Sequence, residues 1–132
     1  MAITINAGRQ NLLYAVQEID LATLGASGNY DAVELPSGAM FVSGALSVSV
    51  ASDDSSTATL SIGVSGGAVD AYLAATNVKA IADTAITGGS LAPLATATTL
   101  TVTPAFAGDD ATVGTARVVV AYVIDGRATE VQ

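Results

Sequence analysis

Apolar and polar side chains alternate strictly along residues 40–64, on both sides of a short polar loop. The even positions are mostly apolar and the odd ones mostly Ser, Thr and Ala; the even set is Met40, Val42, Gly44, Leu46, Val48, Val50, Ala58, Leu60, Ile62 and Val64. Successive side chains of a strand point to opposite faces, so each arm has one apolar face. The loop at residues 52–56 contains only Ser and Asp, which favour turns. The pattern therefore predicts a half-buried antiparallel β-hairpin.

The stretch before this hairpin predicts one long strand and one short strand. Within residues 12–24 the apolar side chains change parity between Val16 and Ile19. A change of parity predicts a β-bulge, here near residues 17–18, or a strand that passes from one sheet to another. Residues 32–35 form a short strand that Pro36 ends.

The stretch after the hairpin contains two different local signals. Asp70 precedes a run of Ala and Leu, which predicts one or two helical turns over residues 70–77. Gly88 and Gly89 predict a two-residue hairpin turn that brings Ile86 opposite Leu91. Alternation then resumes over residues 94–102.

The last long strand, residues 115–124, is apolar on both faces. Its even positions are Ala116, Val118, Val120, Tyr122 and Ile124, and its odd positions after Arg117 are Val119, Ala121 and Val123. A strand of this kind lies in the centre of a sandwich or at a subunit contact. With the even set in the core, Val119, Ala121 and Val123 are the candidate oligomer or partner contacts.

About eight short strands with regular turn signals predict an all-β fold, an antiparallel β-sandwich of jelly-roll type with one short helical turn. We expect a single domain over residues 1–132, with an extended N-terminal arm at about residues 1–11 and a short tail at about residues 126–132. The first residues lack the basic and apolar regions of a secretory signal, and we expect no export.

The charge and the hydropathy of the chain limit the kinds of molecule that it can bind. The net charge of −8 argues against nucleic acid and against anionic membrane surfaces as partners. The mean hydropathy of +0.56, with only 12% charged residues, is high for a soluble monomer. A partner chain is the simplest cover for the surplus apolar surface, so we expect a homo-oligomer.

The residue types exclude several chemistries. The chain has no Cys and no His, so it contains no disulfide, no Ser-His-Asp triad and no His-based zinc centre. The acidic pairs Asp53-Asp54 and Asp109-Asp110 fall in predicted turns. They are interpreted as solvated turn caps; calcium binding and two-carboxylate hydrolysis are the alternatives. Thr99, Thr101 and Thr103 are interpreted as an exposed sheet surface. We expect no catalytic residues, no cofactor and no metal.

Three segments carry a resemblance to a known family: residues 34–38 (ELPSG) before the Ser/Val-rich strand, residues 70–76 (DAYLAAT), and residues 114–124 (GTARVVVAYVI). Together they resemble the small β-sandwich capsid decoration, or cement, proteins of tailed bacteriophages, over roughly residues 35–132. The resemblance implies a non-enzymatic virion structural protein, often a homotrimer. It implies a place on the capsid surface, with the major capsid protein as partner, after synthesis in the host cytoplasm.

Two other classes of function stay open at this point. A tail or baseplate β-sandwich, or a carbohydrate-binding module, requires a groove lined with aromatic side chains, which are scarce here. A carboxylate hydrolase requires two acidic side chains that converge in one cleft.

Overall fold

The computed structural model describes residues 11–24, 28–108 and 112–125. They form eight strands and one 3-10 turn. The strands are β1 (Leu13–Asp20), β2 (Tyr30–Leu35), β3 (Ala39–Val50), β4 (Ala58–Val64), β5 (Leu73–Asn77), β6 (Ala82–Ala85), β7 (Thr98–Phe106) and β8 (Thr115–Ile124), and the 3-10 turn is Leu21–Thr23. No helix among the described residues is long and apolar enough to cross a membrane.

The strands pair into two antiparallel sheets of four. Sheet A has the order β1–β8–β3–β6 and sheet B the order β2–β7–β4–β5. The pairs β1–β8, β2–β7, β3–β6 and β4–β5 are nested, so the chain runs as one long hairpin rolled into two sheets. This is the strand arrangement of a jelly roll. The predicted all-β antiparallel sandwich is confirmed.

The predicted hairpin between β3 and β4 is wrong. β3 lies in sheet A and β4 in sheet B, and residues 51–57 carry the chain from one sheet to the other. One apolar face on each arm is compatible with two arrangements. The two strands can pair side by side in one sheet, or they can belong to different sheets and face each other across the core. Leu46 and Val48 of β3 and Leu60 and Ile62 of β4 are buried in that shared core. Alternation therefore indicated the inward face of β4 and of the middle of β3 but not the partner of either strand. Val42 and Val50, which belong to the predicted apolar face of β3, are 42% and 45% exposed.

The parity defect lies in β3 rather than in β1. The register of β3 with β8 shifts between Phe41 and Ser43, so Phe41 and Leu46 both reach the core although their positions differ in parity. In contrast, β1 pairs with β8 without a shift, and the bulge predicted near residues 17–18 is absent. Ile19 is buried, whereas Tyr14 and Val16 point outward and are 62% and 54% exposed. The apparent parity change in β1 arose from apolar side chains on its outer face.

Two further local predictions are wrong. Residues 73–77 form strand β5, because pairing with β4, for example Leu60 with Thr76, outweighs the helix propensity of the Ala-rich run. Gly88 and Gly89 do not form a hairpin turn. Residues 86–97 lead from sheet A to sheet B, and the amides of Ile86 and Leu94 donate to the carbonyls of Gly44 and Ala39 on β3. The helical turn of the described residues is instead Leu21–Thr23, where Asp20 Oδ1 accepts from Ala22 N at 3.0 Å.

The two faces of β8 are as predicted. Val118 and Val120 are fully buried in the core, and Arg117 is exposed on the opposite face. The prediction that Thr99, Thr101 and Thr103 form an exposed surface on β7 is wrong, because Thr101 is only 3% exposed. Its register partner Gly63 has no room for a side chain, because the backbone of residues 68–69 occupies that space. The segment after β4 therefore covers this part of the outer face of sheet B.

Candidate interaction surface

The Asp53 carboxylate fastens one connection between the sheets to another. Its Oδ1 accepts hydrogen bonds from Thr112 N at 2.7 Å and Val113 N at 3.1 Å, and its Oδ2 accepts one from the Thr112 hydroxyl. These donors, the Thr112 hydroxyl first, lower the pKa of Asp53 from 3.8 to about 2. The carboxylate thus holds the β3–β4 connection against the chain just before β8.

Asp54 is buried beside it and is not the solvated cap that was predicted. The residue is 3% exposed, and its Oδ1 accepts hydrogen bonds from Ser56 N at 2.8 Å and Gly108 N at 3.1 Å. Its Oδ2 has no hydrogen-bond partner among the described residues. Asp54 is a buried structural group that joins the β3–β4 and β7–β8 connections, because two backbone amides need its carboxylate.

The contacts of the Asp53 and Asp54 carboxylates within the described part of the chain are hydrogen bonds from other groups of the protein. No group of three or more acidic side chains there is placed to hold a metal ion. The Asp53 oxygens accept from protein donors, and Asp54 is closed to solvent. The second predicted pair, Asp109 and Asp110, lies outside the described residues.

The outer face of sheet A carries an apolar row that crosses all four strands. Following the register from one edge to the other, Val16 lies opposite Val119, Val119 opposite Ala45, and Ala45 opposite Ala85. The adjacent positions toward one end of the sheet include Tyr14, opposite Ala121. In the described chain nothing covers Tyr14 and Val16, which are more than half exposed.

A polar row lies next to this apolar row, and its side chains form hydrogen bonds with one another within the chain. The register places Glu18 opposite Arg117, Arg117 opposite Ser47, and Ser47 opposite Asp83. Arg117 Nη2 donates to Glu18 Oε2 at 2.7 Å, and Ser47 Oγ donates to Asp83 Oδ1 at 2.5 Å. An apolar centre beside a polar margin is the usual composition of a protein–protein interface.

The three candidate contacts predicted from sequence all lie on this outer side of β8. Val119 and Val123 are partly exposed, whereas Ala121 is only 5% exposed because its neighbours already cover it. Tyr14 and Val16 expose more apolar surface and were not among the predicted contacts. The signal for them in the sequence is their parity, which is opposite to that of the buried Ile19 and which also fits a β-bulge or a strand that passes from one sheet to another.

Two concave regions lie along sheet A. A shallow depression of about 240 Å³ is lined by Tyr14, Ser43, Gly44, Ala45, Val119 and Ala121. A recess of about 310 Å³ is lined by residues 41–44, 85–86 and 88–91 and lies at the β6 edge; we call it the β6-side recess. Ser43 and Gly44 of β3 line both regions.

The floor of the β6-side recess depends on Gly89. This residue has φ +88°, and a Cβ there would lie 2.6 Å from the Phe41 ring. Any larger residue would therefore strain the backbone and collide with the ring. Exposed Val42 and Leu91 also line the recess.

The four sheet edges differ in how well they are protected from pairing with another chain. β6 has four residues and β5 has five, and the pairings of β5 and β2 each contain a register shift. β1 has eight residues and an unbroken register, and no Pro or Lys lies within it. Long, regular and apolar edges promote association, whereas short strands, bulges and charges prevent it. Among the described strands, β1 is the edge best suited to contact another chain.

Comparison with known proteins gives matches of structure only. No protein-family model matches the sequence, and no curated protein matches it by sequence. The fold is similar to that of a chain in the cyanophage Pam1 capsid asymmetric unit, with a TM-score of 0.72, 20% identity, and coverage of 94% of this chain and 91% of that chain. A chain in the capsid of Ralstonia phage GP4 gives a TM-score of 0.69 at 19% identity, covering 96% of this chain and 93% of that one.

A third similar chain comes from the acidic stable capsid structure of Helicobacter pylori bacteriophage KHP30. Its TM-score is 0.67 at 19% identity, with coverage of 87% of this chain and 90% of that chain. At these identities the likeness establishes the fold. The β-sandwich implied by the phage resemblance of residues 35–132 is confirmed at that level.

Proposed function

We propose that this chain is a non-enzymatic structural protein of a phage virion, a decoration or cement protein that binds the outside of the head and stabilises it. The observation that carries the proposal is the match over 87–96% of the chain to chains found in three phage capsid structures. The match includes nearly the whole length of those chains, 90–93%. A shared fold alone does not fix a role, so the surface chemistry supplies the second argument.

The surface suits a protein that associates rather than one that catalyses. Tyr14 and Val16 expose an apolar strip on sheet A, and the described carboxylates have structural or surface roles instead of converging in a cleft. We propose a homotrimer on the capsid surface, with the major capsid protein as the partner. Three copies suit the threefold axes of an icosahedral shell. Because the net charge is −8, a neutral or basic patch on the capsid protein is the expected landing site.

The ends of the chain belong to the same proposal. Residues 1–10 and 126–132 lie outside the described residues. We propose that an N-terminal arm and a C-terminal tail extend across neighbouring subunits and lock them. A variant that lacks residues 1–10 should then keep the melting temperature of the isolated sandwich but protect capsids less against heat.

The deciding experiment uses capsids that lack this protein. Purified protein is incubated with them, and bound copies per capsid and the temperature of genome release are measured. Saturable binding and a higher release temperature are expected. Light scattering after size exclusion should give a mass of about three times 13.0 kDa. Absence of bound copies would overturn the cement role and favour a tail or baseplate module.

A carbohydrate-binding module is the weaker alternative. The β6-side recess contains one aromatic residue, Phe41, which is buried, and the depression contains one, Tyr14. A sugar site built on stacked aromatic rings needs more aromatic surface in one groove than these residues offer.

A further inference from the structure

Each copy has two different uncharged surfaces at opposite edges of sheet A. At the β1 edge, Leu12, Tyr14 and Val16 project outward with exposures of 43%, 62% and 54%; we call these three side chains the β1 strip. At the other edge lies the β6-side recess, with Val42 and Leu91 exposed in its lining. The first surface offers exposed apolar side chains, and the second is a recess of about 310 Å³.

We propose that the β1 strip of one copy docks into the β6-side recess of the next copy. This contact joins two different surfaces, so it is heterologous, and a heterologous contact closes into a ring when the rotation between copies permits. The inference rests on the proposed homotrimer and deepens it by naming the two surfaces that meet. Tyr14 is the central anchor, since large aromatic side chains are the usual anchors of such interfaces.

Charge favours a second copy as the occupant of the recess. Neither surface contains a charged side chain, whereas each whole chain carries a net charge of −8. Two such copies repel at long range, and their approach is least opposed where both surfaces are uncharged. The chain itself supplies both halves of the contact, the projecting strip and the recess.

The edges of the sheets support the same conclusion. The edge of sheet B at β2 carries Asp31 and Glu34 and a register shift, and the edge at β5 is short and shifted. β1 lacks these protective features along residues 13–17, while Glu18 and Asp20 lie only at its end. A long, regular edge of this kind is suited to contact with another chain.

Cross-linking tests the proposal directly, because the chain contains no Cys. Tyr14→Cys and Leu91→Cys variants are prepared separately, mixed in equal amounts, allowed to exchange subunits, and treated with a short bismaleimide. We expect linked pairs in the mixture and none from either variant alone. The double variant should give linked species up to three chains and no larger. As a control, Ala75→Cys on exposed β5 should not link to Tyr14→Cys.

Other cross-linking outcomes overturn the proposal. Linked pairs from Tyr14→Cys alone would mean a twofold contact between two β1 strands, and linking of Tyr14→Cys to Ala75→Cys would mean a contact with sheet B. A mixture without linked pairs, while light scattering still reports an oligomer, would also exclude the contact.

A second set of variants separates this inference from the proposed function. Tyr14→Asp places a charge on the β1 strip, and Leu91→Asp places one in the β6-side recess. Ala75→Asp is the matched control. We expect the first two to elute at the mass of one chain with an unchanged circular dichroism spectrum, and the control to remain trimeric. If both charged variants stay trimeric and still protect capsids, the inference is wrong and the cement role stands. If the Cys variants form the predicted cross-links but wild-type protein does not bind capsids, the cement role is wrong and the contact stands.

Discussion

Asp54 Oδ1 accepts a hydrogen bond from the backbone N–H of Gly108 at 3.1 Å, across 54 positions of sequence. The same oxygen accepts from Ser56 N, and the residue is almost completely buried. A buried carboxylate that satisfies two backbone amides fixes the relative position of two connections between the sheets. Asp53 next to it does the same for the amides of Thr112 and Val113. The two adjacent carboxylates therefore hold one end of the sandwich together.

Replacing Asp54 by Ala should destabilise the fold strongly. The substitution leaves the amides of Ser56 and Gly108 without an acceptor, at a cost of about 2–4 kcal/mol in the free energy of unfolding. Asp54→Asn keeps one acceptor oxygen and should cost about 1 kcal/mol or less. Urea denaturation of both variants measures the difference. Equal losses would show that the negative charge, and not the acceptor geometry, makes the contribution.

Asp53 should give the fold an acid-sensitive component of stability. Its pKa is about 2 in the folded chain and 3.8 ordinarily, so folding favours the ionised form. The contribution is complete above about pH 4 and disappears as the pH falls to about 2. Urea midpoints of wild type and Asp53→Asn, compared from pH 6 downward, should differ most above pH 4 and converge toward pH 2. A constant difference across this range would contradict the assignment.

The sequence predicted the inward faces of most strands but not the strand pairing. The alternation of apolar and polar residues indicates which side chains of a strand face the core, and Leu60, Ile62 and Val120 are indeed buried. It does not report whether an apolar face meets a neighbour in the same sheet or a strand of the opposite sheet. β3 and β4 satisfy their patterns by facing each other across the core. Only the long-range pairs, such as β3 with β8, distinguish the two arrangements.

The candidate interaction surface follows from the sequence only in part, for a related reason. Val119 and Val123 are predicted contacts because an apolar residue on the second face of a central strand has no place in the core, and their contact with a partner stays a prediction. The same argument applies to Tyr14 and Val16 on β1. In the sequence, however, a β-bulge explains their change of parity relative to Ile19 equally well. The burial of Asp54 could not be predicted, because it depends on Gly108 in a connection far away along the chain.

Thr101 should be a position where removing a hydroxyl group stabilises the protein. The residue is 3% exposed, and its Oγ1 has no hydrogen-bond partner among the described residues. Thr101→Val keeps the shape and removes the buried polar atom, so we expect about 1 kcal/mol of added stability. Thr103→Val is the matched control on the same strand. The Thr103 hydroxyl donates to Asn29 Oδ1, and its loss should cost about 1 kcal/mol.

Thermal melting of Thr101→Val and Thr103→Val tests both expectations, because the melting temperature should rise in the first variant and fall in the second. A loss of stability in Thr101→Val would mean that the hydroxyl has a partner in solution, such as a bound water molecule. Thr101→Asp, which would be mild on an exposed strand face, should instead cost several kcal/mol at this buried position.

The adjacent residues Val119 and Val120 should lose very different amounts of stability when each is replaced by Asp, because they lie on opposite faces of β8. Val120 is fully buried between the sheets, and Val120→Asp places an unpaired charge there. The cost of several kcal/mol is a large part of the roughly 5–15 kcal/mol that stabilises a typical domain. Val119 is partly exposed on the outer face, so Val119→Asp should cost less than about 1 kcal/mol. Urea denaturation at low protein concentration, where subunit contacts contribute least, measures both values. Similar losses for the two variants would mean that the outer face of β8 is covered within a single chain, and would remove the apolar row from the candidate interaction surface.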